Sequence, residues 1–318
     1  MLDLSKKRIC VTGGAGFLGS FVVEQLRAGG ATDIFVPRRR DYDLTQTAGI
    51  EKLFADARPE VFFHLAAVVG GIGANQKNPG LFFYENAIMG IQLIEACRIH
   101  KVEKTVVVGT ICSYPKFAPV PFAEDSLWDG YPEETNAPYG VAKKALLVQC
   151  QSYRQQYGMN AVFMMPVNLY GPRDNFDLES SHVIPALIRK CIEARKSGAK
   201  EIVIWGDGSP TREFIYAADA AEGLILAAQH YDEDQPVNIG SGTEISIRNL
   251  VTLVAQETGY TGDLVWDSSR PNGQPRRQLD ITRAKAQFGF EAKTALQDGI
   301  RQTVRWYEGQ QGLAASAN

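Results

Sequence analysis

Two hydrophobic periods alternate along the first half of the chain. Arg8-Ile-Cys-Val-Thr12 is a short apolar run of the kind that fills a strand buried on both faces. From Phe17 to Ala28 the apolar residues recur at helical spacing, through Leu18, Val22 and Leu26, and the pattern stops at Gly29-Gly30. Ile34-Phe-Val36 predicts a second strand and Glu60-Val-Phe-Phe-His-Leu65 a third. A long helical pattern covers about Gly80 to His100 and is followed by the strand Thr105-Val-Val-Val108. Another helix is expected from Pro138, a residue suited to the first helical position, to about Gly158. Ala161 to Pro166 completes the series as a further buried strand. Strands alternating with helices predict an α/β fold: a Rossmann-type doubly wound parallel sheet with helices on both faces.

After Asn168 the texture changes to more Pro, Gly and polar residues with shorter periodic segments. The domain change is placed there. Residues 1–168 are expected to form the Rossmann domain, and 169–211 with 240–318 a smaller, discontinuous α/β domain for substrate. The stretch 212–239 again reads as strand-helix-strand and is expected to rejoin the first domain. A length of 318 residues suits two domains.

Composition narrows the classes. Hydrophobic residues make up 45% and charged residues 22%, which excludes a disordered chain. A net charge of −3 lacks the basic footprint of a nucleic-acid binder. The longest apolar stretch, Val61 to Ile72, contains His64, Gly70 and Gly71 and is too short to span a bilayer. The opening MLDLSKKRICVTGG lacks the apolar core of a signal peptide. Cys10, Cys97, Cys112, Cys150 and Cys191 are scattered, odd in number and without CxxC spacing. Reduced thiols in a cytoplasm are expected, with no disulfide framework and no metal.

Chemistry first shows in Gly13-Gly-Ala-Gly16-Phe-Leu-Gly19, between the first strand and the first helix. There Gly13 permits the tight turn, Gly16 lets the backbone approach a pyrophosphate, and Gly19 allows close packing of helix on sheet. Phosphates would sit on the positive helix N-terminus. The second strand then selects the dinucleotide. An NAD site usually places a carboxylate at that strand end, whereas Val36-Pro-Arg38-Arg39-Arg40 offers guanidinium groups that suit a 2′-phosphate. NADP(H) is the expected cofactor, with Asp43 and Leu44 near the adenine edge.

Tyr139-Gly-Val-Ala-Lys143 puts a phenol and an ammonium at i and i+4 on one helix face. A lysine near a tyrosine favours the phenolate, so Tyr139 is expected to have a lowered pKa. Thr110, at the end of the fourth strand, adds a hydroxyl able to polarise a carbonyl. Combined with the glycine loop, this set resembles the extended short-chain dehydrogenase/reductase family, whose members use a Ser/Thr-Tyr-Lys triad. The resemblance covers Lys7 to Tyr307. It rests on Ala66–Asn75, Gly109–Pro115, Tyr139–Lys143, Asn168–Phe176, Ser181–Arg189, Trp205–Phe214, Asn238–Gly242 and Pro275–Asp280.

The resemblance implies an NADPH-dependent oxidoreductase that also works as an epimerase, inverting C3 and C5 of a GDP-4-keto-6-deoxy-hexose and reducing C4. Hydrogens at C3 and C5 lie α to the ketone, so a base can remove them as an enolate forms, and thiolate and imidazole both titrate near neutrality. By resemblance the catalytic set is Thr110, Tyr139, Lys143, Cys112 and His182. Cofactor contacts are implied for Gly13, Gly16, Phe17, Leu18, Gly19, Arg38, Arg39, Asp43, Leu44, Leu65, Ala66 and Ala67. They extend to Tyr139, Lys143, Pro166, Asn168, Leu169 and His182. Substrate contacts are implied for Asn168, Val183, Arg189, Trp205, Arg212 and Arg270, and a homodimer through the two long helices. The family usually reads Gly-Ser-Ser-Cys where this chain has Gly109-Thr-Ile-Cys112, and Arg270-Pro-Asn-Gly273 replaces Lys-Pro-Asp-Gly. These departures leave the exact sugar open. Two other readings stay in play: an epimerase that keeps its NAD(P) and shows no net redox, and a reductase for a different 4-keto deoxy sugar.

Overall fold

The computed structural model describes residues 1–269 and 274–316. Its larger layer is a six-stranded sheet of β1 (Ile9–Thr12), β2 (Ile34–Phe35), β3 (Val61–His64), β4 (Lys104–Val108), β5 (Ala161–Pro166) and β9 (Val237–Ile239). Their order is β2-β1-β3-β4-β5-β9, and every pair is parallel. Every residue of β1, β3, β4 and β5 is buried. That is why these strands read as continuous apolar runs rather than as alternation. Helices α1 (Phe17–Ala28) and α7 (Ala217–His230) pack together, as do α4 (Pro79–Ile99) and α5 (Ala137–Tyr157). The helix α2 (Thr47–Ala57), which the sequence pattern did not single out, packs beside α4 after β2. A short α3 (Ile72–Lys77) precedes α4.

The order 2-1-3 means that the chain leaves β1 in one direction and β3 in the other. The crevice between their carboxyl ends is the topological switch point at which such sheets bind ligands. Gly13, with a left-handed φ of +73°, closes that end: a Cβ there would lie 2.9 Å from the backbone nitrogen of Ala66. Only a glycine allows the loops after β1 and β3 to come this near.

A second core forms around Tyr170, Ile188, Val254 and Ile300. It is built from β6 (Asn168–Tyr170), α6 (Val183–Ser197), β7 (Glu201–Trp205), β8 (Thr211–Tyr216), β10 (Glu244–Ser246) and α8 (Ile247–Thr258). β11 (Asp263–Asp267), β12 (Arg276–Arg277), α9 (Thr282–Phe288) and α10 (Leu296–Ser316) complete the chain. β8 pairs with β6, β10 and β12, and β7 pairs with β11.

Two segments lie otherwise than expected. The stretch 212–239 divides: its strand β8 is the centre of the smaller sheet, and only α7 and β9 join the larger one. Conversely, Leu279, Ala284, Phe288 and Phe290 pack into the first core although they follow residue 240. Strand-helix-strand periodicity records burial, not which sheet supplies it.

The glycine loop also sets a limit on substitution. A Cβ on Gly19 would sit 2.1 Å from the carbonyl oxygen of Gly13 and 2.6 Å from the Cα of Gly14. Alanine gains roughly 1 kcal/mol of helix propensity over glycine, but a backbone clash of this size outweighs it. Gly19→Ala is expected to lower stability by about 1–3 kcal/mol in urea denaturation. An unchanged midpoint would show that α1 can lift off the sheet without cost.

Candidate active site

One cavity of about 1,610 Å³ runs from the glycine loop across the ends of β3, β4 and β5 to β8 and Trp205. A drug-sized ligand fills roughly 300–1,000 Å³, so the space admits a dinucleotide and a second ligand together.

Its floor is assembled by a close approach. Thr110 follows the end of β4 by two residues and caps a single 3-10 turn (Ile111–Ser113), its hydroxyl accepting from the Cys112 N–H at 3.2 Å. Helix α5 begins directly against this turn. A Cβ on Gly140 would lie 2.4 Å from the carbonyl oxygen of Cys112, so the glycine in Tyr-Gly-Val-Ala-Lys is what lets the helix dock. Ser113 Oγ donates to the Gly140 carbonyl at 3.0 Å, and Lys143 Nζ donates to the Val108 carbonyl at 2.9 Å. Thr110, Cys112, Tyr139 and Lys143 are thereby brought into one rigid corner of the cavity.

The electrostatics of that corner differ from expectation in one respect. The phenol of Tyr139 is pushed up rather than down: burial dominates, a neighbouring Cys112 charge adds to it, and a hydrogen bond with Thr110 opposes it. Lys143 was expected to lower it, but its ammonium is spent on Val108 and is itself brought down to about 8 by burial. His182 is the N-cap residue of α6, yet its side chain makes no capping bond and lines the cavity. Burial there holds the imidazole below its ordinary value.

The expected cofactor residues fall together. Gly13, Gly16, Phe17, Leu18 and Gly19 line one end of the cavity, with Arg38, Arg39, Asp43 and Leu44 beside them. Leu65, Ala66, Ala67, Pro166, Asn168 and Leu169 continue the wall. The cradle fits a dinucleotide phosphate. A Cβ on Gly16 would press to 3.2 Å from the Gly13 carbonyl, and no side chain caps the N-terminus of α1. Arg38 and Arg39 are exposed; Arg39 makes only a long 3.9 Å contact with Glu85, so both can turn to a phosphate. Asp43 is engaged with Thr45, accepting from its N–H at 3.0 Å and its hydroxyl at 2.7 Å.

Of the expected substrate residues, Asn168, Val183, Trp205 and Arg212 line the cavity. Arg212 is half-buried, and burial with neighbouring Arg277 brings it down to about 10, against the opposing charge of Glu133. Arg189 does not line the cavity: it pairs with Glu193 at 2.7 Å and donates to the Phe176 carbonyl at 3.2 Å. Helical geometry explains the difference, because Val183, Ala186 and Lys190 share the face toward the cavity at i, i+3 and i+7. Arg270 lies outside the described residues.

Among the lining residues not picked out from the sequence are Glu133, Asp174, Lys190, Gln274 and Arg277. Period counting from Val183 would have found Lys190, and Asp174 and Arg277 stand inside motifs already noted for other residues. The Asp174 carboxyl is pushed up to about 7 by burial, and its Oδ2 has no hydrogen-bond partner.

A doubly wound sheet with a glycine loop at its switch point defines a nucleotide-binding enzyme of Rossmann type. The sequence relationships agree. Residues 9–240 match the NAD dependent epimerase/dehydratase family, and the chain belongs to that family. "Probable GDP-L-fucose synthase 1" of Oryza sativa subsp. japonica is 42% identical over 301 residues, 94% of this chain and 92% of that one. The "GDP-L-fucose synthase" of Sinorhizobium fredii is 43% identical over 300 residues, 94% of this chain and 95% of that one. Among solved structures, a GDP-L-fucose synthetase from Naegleria fowleri bound to NADP superposes with a TM-score of 0.89 at 28% identity. The match covers 96% of this chain and 93% of that one.

Two outcomes follow from the geometry. Replacing Arg38 and Arg39 together by Gln should weaken NADPH binding by about 10–100-fold while changing NADH little, as loss of one charge-assisted contact requires. Equal weakening in titrations of both cofactors would remove the 2′-phosphate from these arginines. For Asp174, the folded protein keeps a proton that the unfolded chain releases near 4, so stability is lost as pH rises from about 4 to about 7. Asp174→Asn should therefore stabilise the ligand-free protein at pH 8, on the order of 2 kcal/mol, and by less than half as much at pH 5. Equal urea midpoints at pH 8 would show that the carboxylate is solvated after all.

Proposed function

We propose that the protein is an NADPH-dependent enzyme that inverts C3 and C5 and reduces C4 of a GDP-4-keto-6-deoxy-hexose, giving GDP-L-fucose or a close relative. The observation that carries this reading is the placement of Cys112 two residues after Thr110, on the turn against which Tyr139 docks. A ketone held by Thr110 and Tyr139 has its flanking carbons beside a sulfur. The names of the relatives, at 42% and 43% identity over nearly the whole chain, point the same way.

In this reading Gly13, Gly16 and the N-terminus of α1 hold the cofactor diphosphate, and Arg38 and Arg39 its 2′-phosphate. NADPH, when bound, supplies the hydride. Cys112 removes the proton α to the ketone, and the electron pair of that C–H bond moves into an enolate whose oxygen faces Thr110 and Tyr139. His182, arriving from α6, returns a proton to the carbon. Once Cys112 has released that proton to solvent and His182 has regained one, the same sequence at the second flanking carbon completes the epimerisation. Tyr139 then protonates the C4 oxygen as reduction occurs. As a phenol at neutral pH it carries the proton to be given. Arg212 offers a fork for the substrate diphosphate and Trp205 a flat face for the base.

The reading extends to assembly and compartment. Leu81, Phe83, Tyr84 and Ile91 of α4, with Val148 of α5, are exposed apolar side chains, which suits a helix face shared with a second copy. The five cysteines are free, as a reducing cytoplasm would leave them. Among the described residues no helix is long and apolar enough to cross a membrane.

Solvent deuterium uptake separates the two chemistries. Cys112→Ser replaces a thiol with an alcohol that is a far weaker base at neutral pH. It should bind NADPH and lose exchange at C3 and C5 by at least about 100-fold. Tyr139→Phe should retain exchange and lose reduction. His182→Asn should exchange without inversion, because Cys112 can return the proton on the face from which it came. Wild-type exchange by Cys112→Ser, followed by NMR of the sugar, would remove the sulfur from the mechanism.

A further inference from the structure

Cys112 is not an isolated thiol. Arg277 Nη1 lies 3.9 Å from its sulfur, across 165 positions of sequence. The arginine is aimed there. Alternation along β12 sends its two arginines to opposite sides. Arg276 pairs with Glu244 on one side, and Arg277 lines the cavity on the other. Arg277 Nε donates to Gln274 Oε1 at 2.7 Å, and Gln274 Nε2 donates to the Lys116 carbonyl at 2.6 Å. The guanidinium is thus braced from behind, with an N–H left for the sulfur.

This placement has a cost that calls for a reason. β12 and β8 run parallel with Arg277 beside Arg212, so two like charges meet in a partly buried wall. Glu133 faces both and offsets them only in part, since its carboxylate also accepts from Thr135 and Asn136. Toward the sulfur, Tyr139 is a further titratable neighbour among the described residues, and Lys143 is turned away to Val108. Among the described residues, the cation in contact with an anion forming at Cys112 is Arg277.

We propose that Arg277 is the positioning residue for Cys112, holding its sulfur in line and serving as the counter-charge of the thiolate that acts as base. The assignment rests on the reading of Cys112 given above, and it balances simply. The thiolate takes the proton from the carbon and becomes a thiol, the C–H electron pair passes into the enolate, and Arg277 keeps its protons throughout. A neutral thiol at this distance is a weak acceptor, whereas a thiolate makes a charge-assisted bond. The arginine therefore favours the sulfur's active form.

Alkylation by iodoacetamide tests this without substrate, so it does not depend on the sugar being identified. Cys10, Cys97, Cys150 and Cys191 are buried, which leaves Cys112 as the site to follow by peptide mass spectrometry, with Cys112→Ser as the blank. Across the neutral and alkaline range, Arg277→Met should alkylate at least about tenfold more slowly at neutral pH, with its profile displaced to higher pH. Arg277→Lys should recover part of the rate. Gln274→Leu, which removes the brace and keeps the charge, should shift the profile in the same direction by less. It serves as well if Arg277→Met does not fold. NADPH binding should be unchanged in all three. A wild-type rate and profile in Arg277→Met, or in Gln274→Leu where the first variant cannot be made, would overturn the assignment. Displaced profiles with no sugar exchange in the wild type would keep Arg277 as the partner of Cys112 and instead sink the substrate reading.

Discussion

The close approach of α5 to the turn after β4 is the constraint on which the site depends. It is made possible by the missing side chain of Gly140 and secured by Ser113 on the Gly140 carbonyl and Lys143 on the Val108 carbonyl. Any Cβ at Gly140 would push the helix from the strand end and separate Tyr139 from Thr110 and Cys112. Because β4 is fully buried in the middle of the parallel sheet, the turn it carries has little freedom to follow. In the proposed reading, groups for two different proton transfers thus sit on one rigid corner, and a single ketone placed there meets both.

The cavity is paid for in desolvation. Lys143, nearly without exposed surface, is held to about 8, and Asp174 is pushed up to about 7. Both shifts record charge that the folded protein disfavours and that bound ligand atoms would meet. Buried ionisable groups with displaced pKa values gather where chemistry is done, and here they line the same cavity. The two cores divide the labour. The first supplies the sheet ends and the glycine cradle, and the second brings His182, Trp205 and Arg212 to the other side of the opening.

Much of this was legible in the sequence, and the reason is locality. A glycine loop between a strand and a helix, or a tyrosine four residues before a lysine, is written within a few positions. The buried strands β1, β3, β4 and β5 announced themselves as apolar runs. What could not be read was long-range. Nothing near Arg212 says that its strand joins β6, β10 and β12 rather than the large sheet. Arg277 and Cys112 are joined only by the fold. Arg189 was expected at the substrate, but the helix face turns it to Glu193 and brings Lys190 to the cavity instead. The acidity of Tyr139 was misjudged for a related reason: spacing puts Lys143 on the same face, but the nearest acceptor, the Val108 carbonyl, comes from another element.

The central claim is that one corner performs both chemistries on one ketone, and a single turnover in deuterated water tests it most directly. Enzyme in excess would be mixed with unlabelled NADPH and GDP-4-keto-6-deoxy-mannose, and the sugar product examined by NMR. The account predicts deuterium at C3 and C5, with the hydrogen newly added at C4 remaining protium because it comes from NADPH. A C4-reduced sugar carrying protium at both C3 and C5 would contradict it, and would leave the protein as a reductase whose cysteine has no part in the reaction.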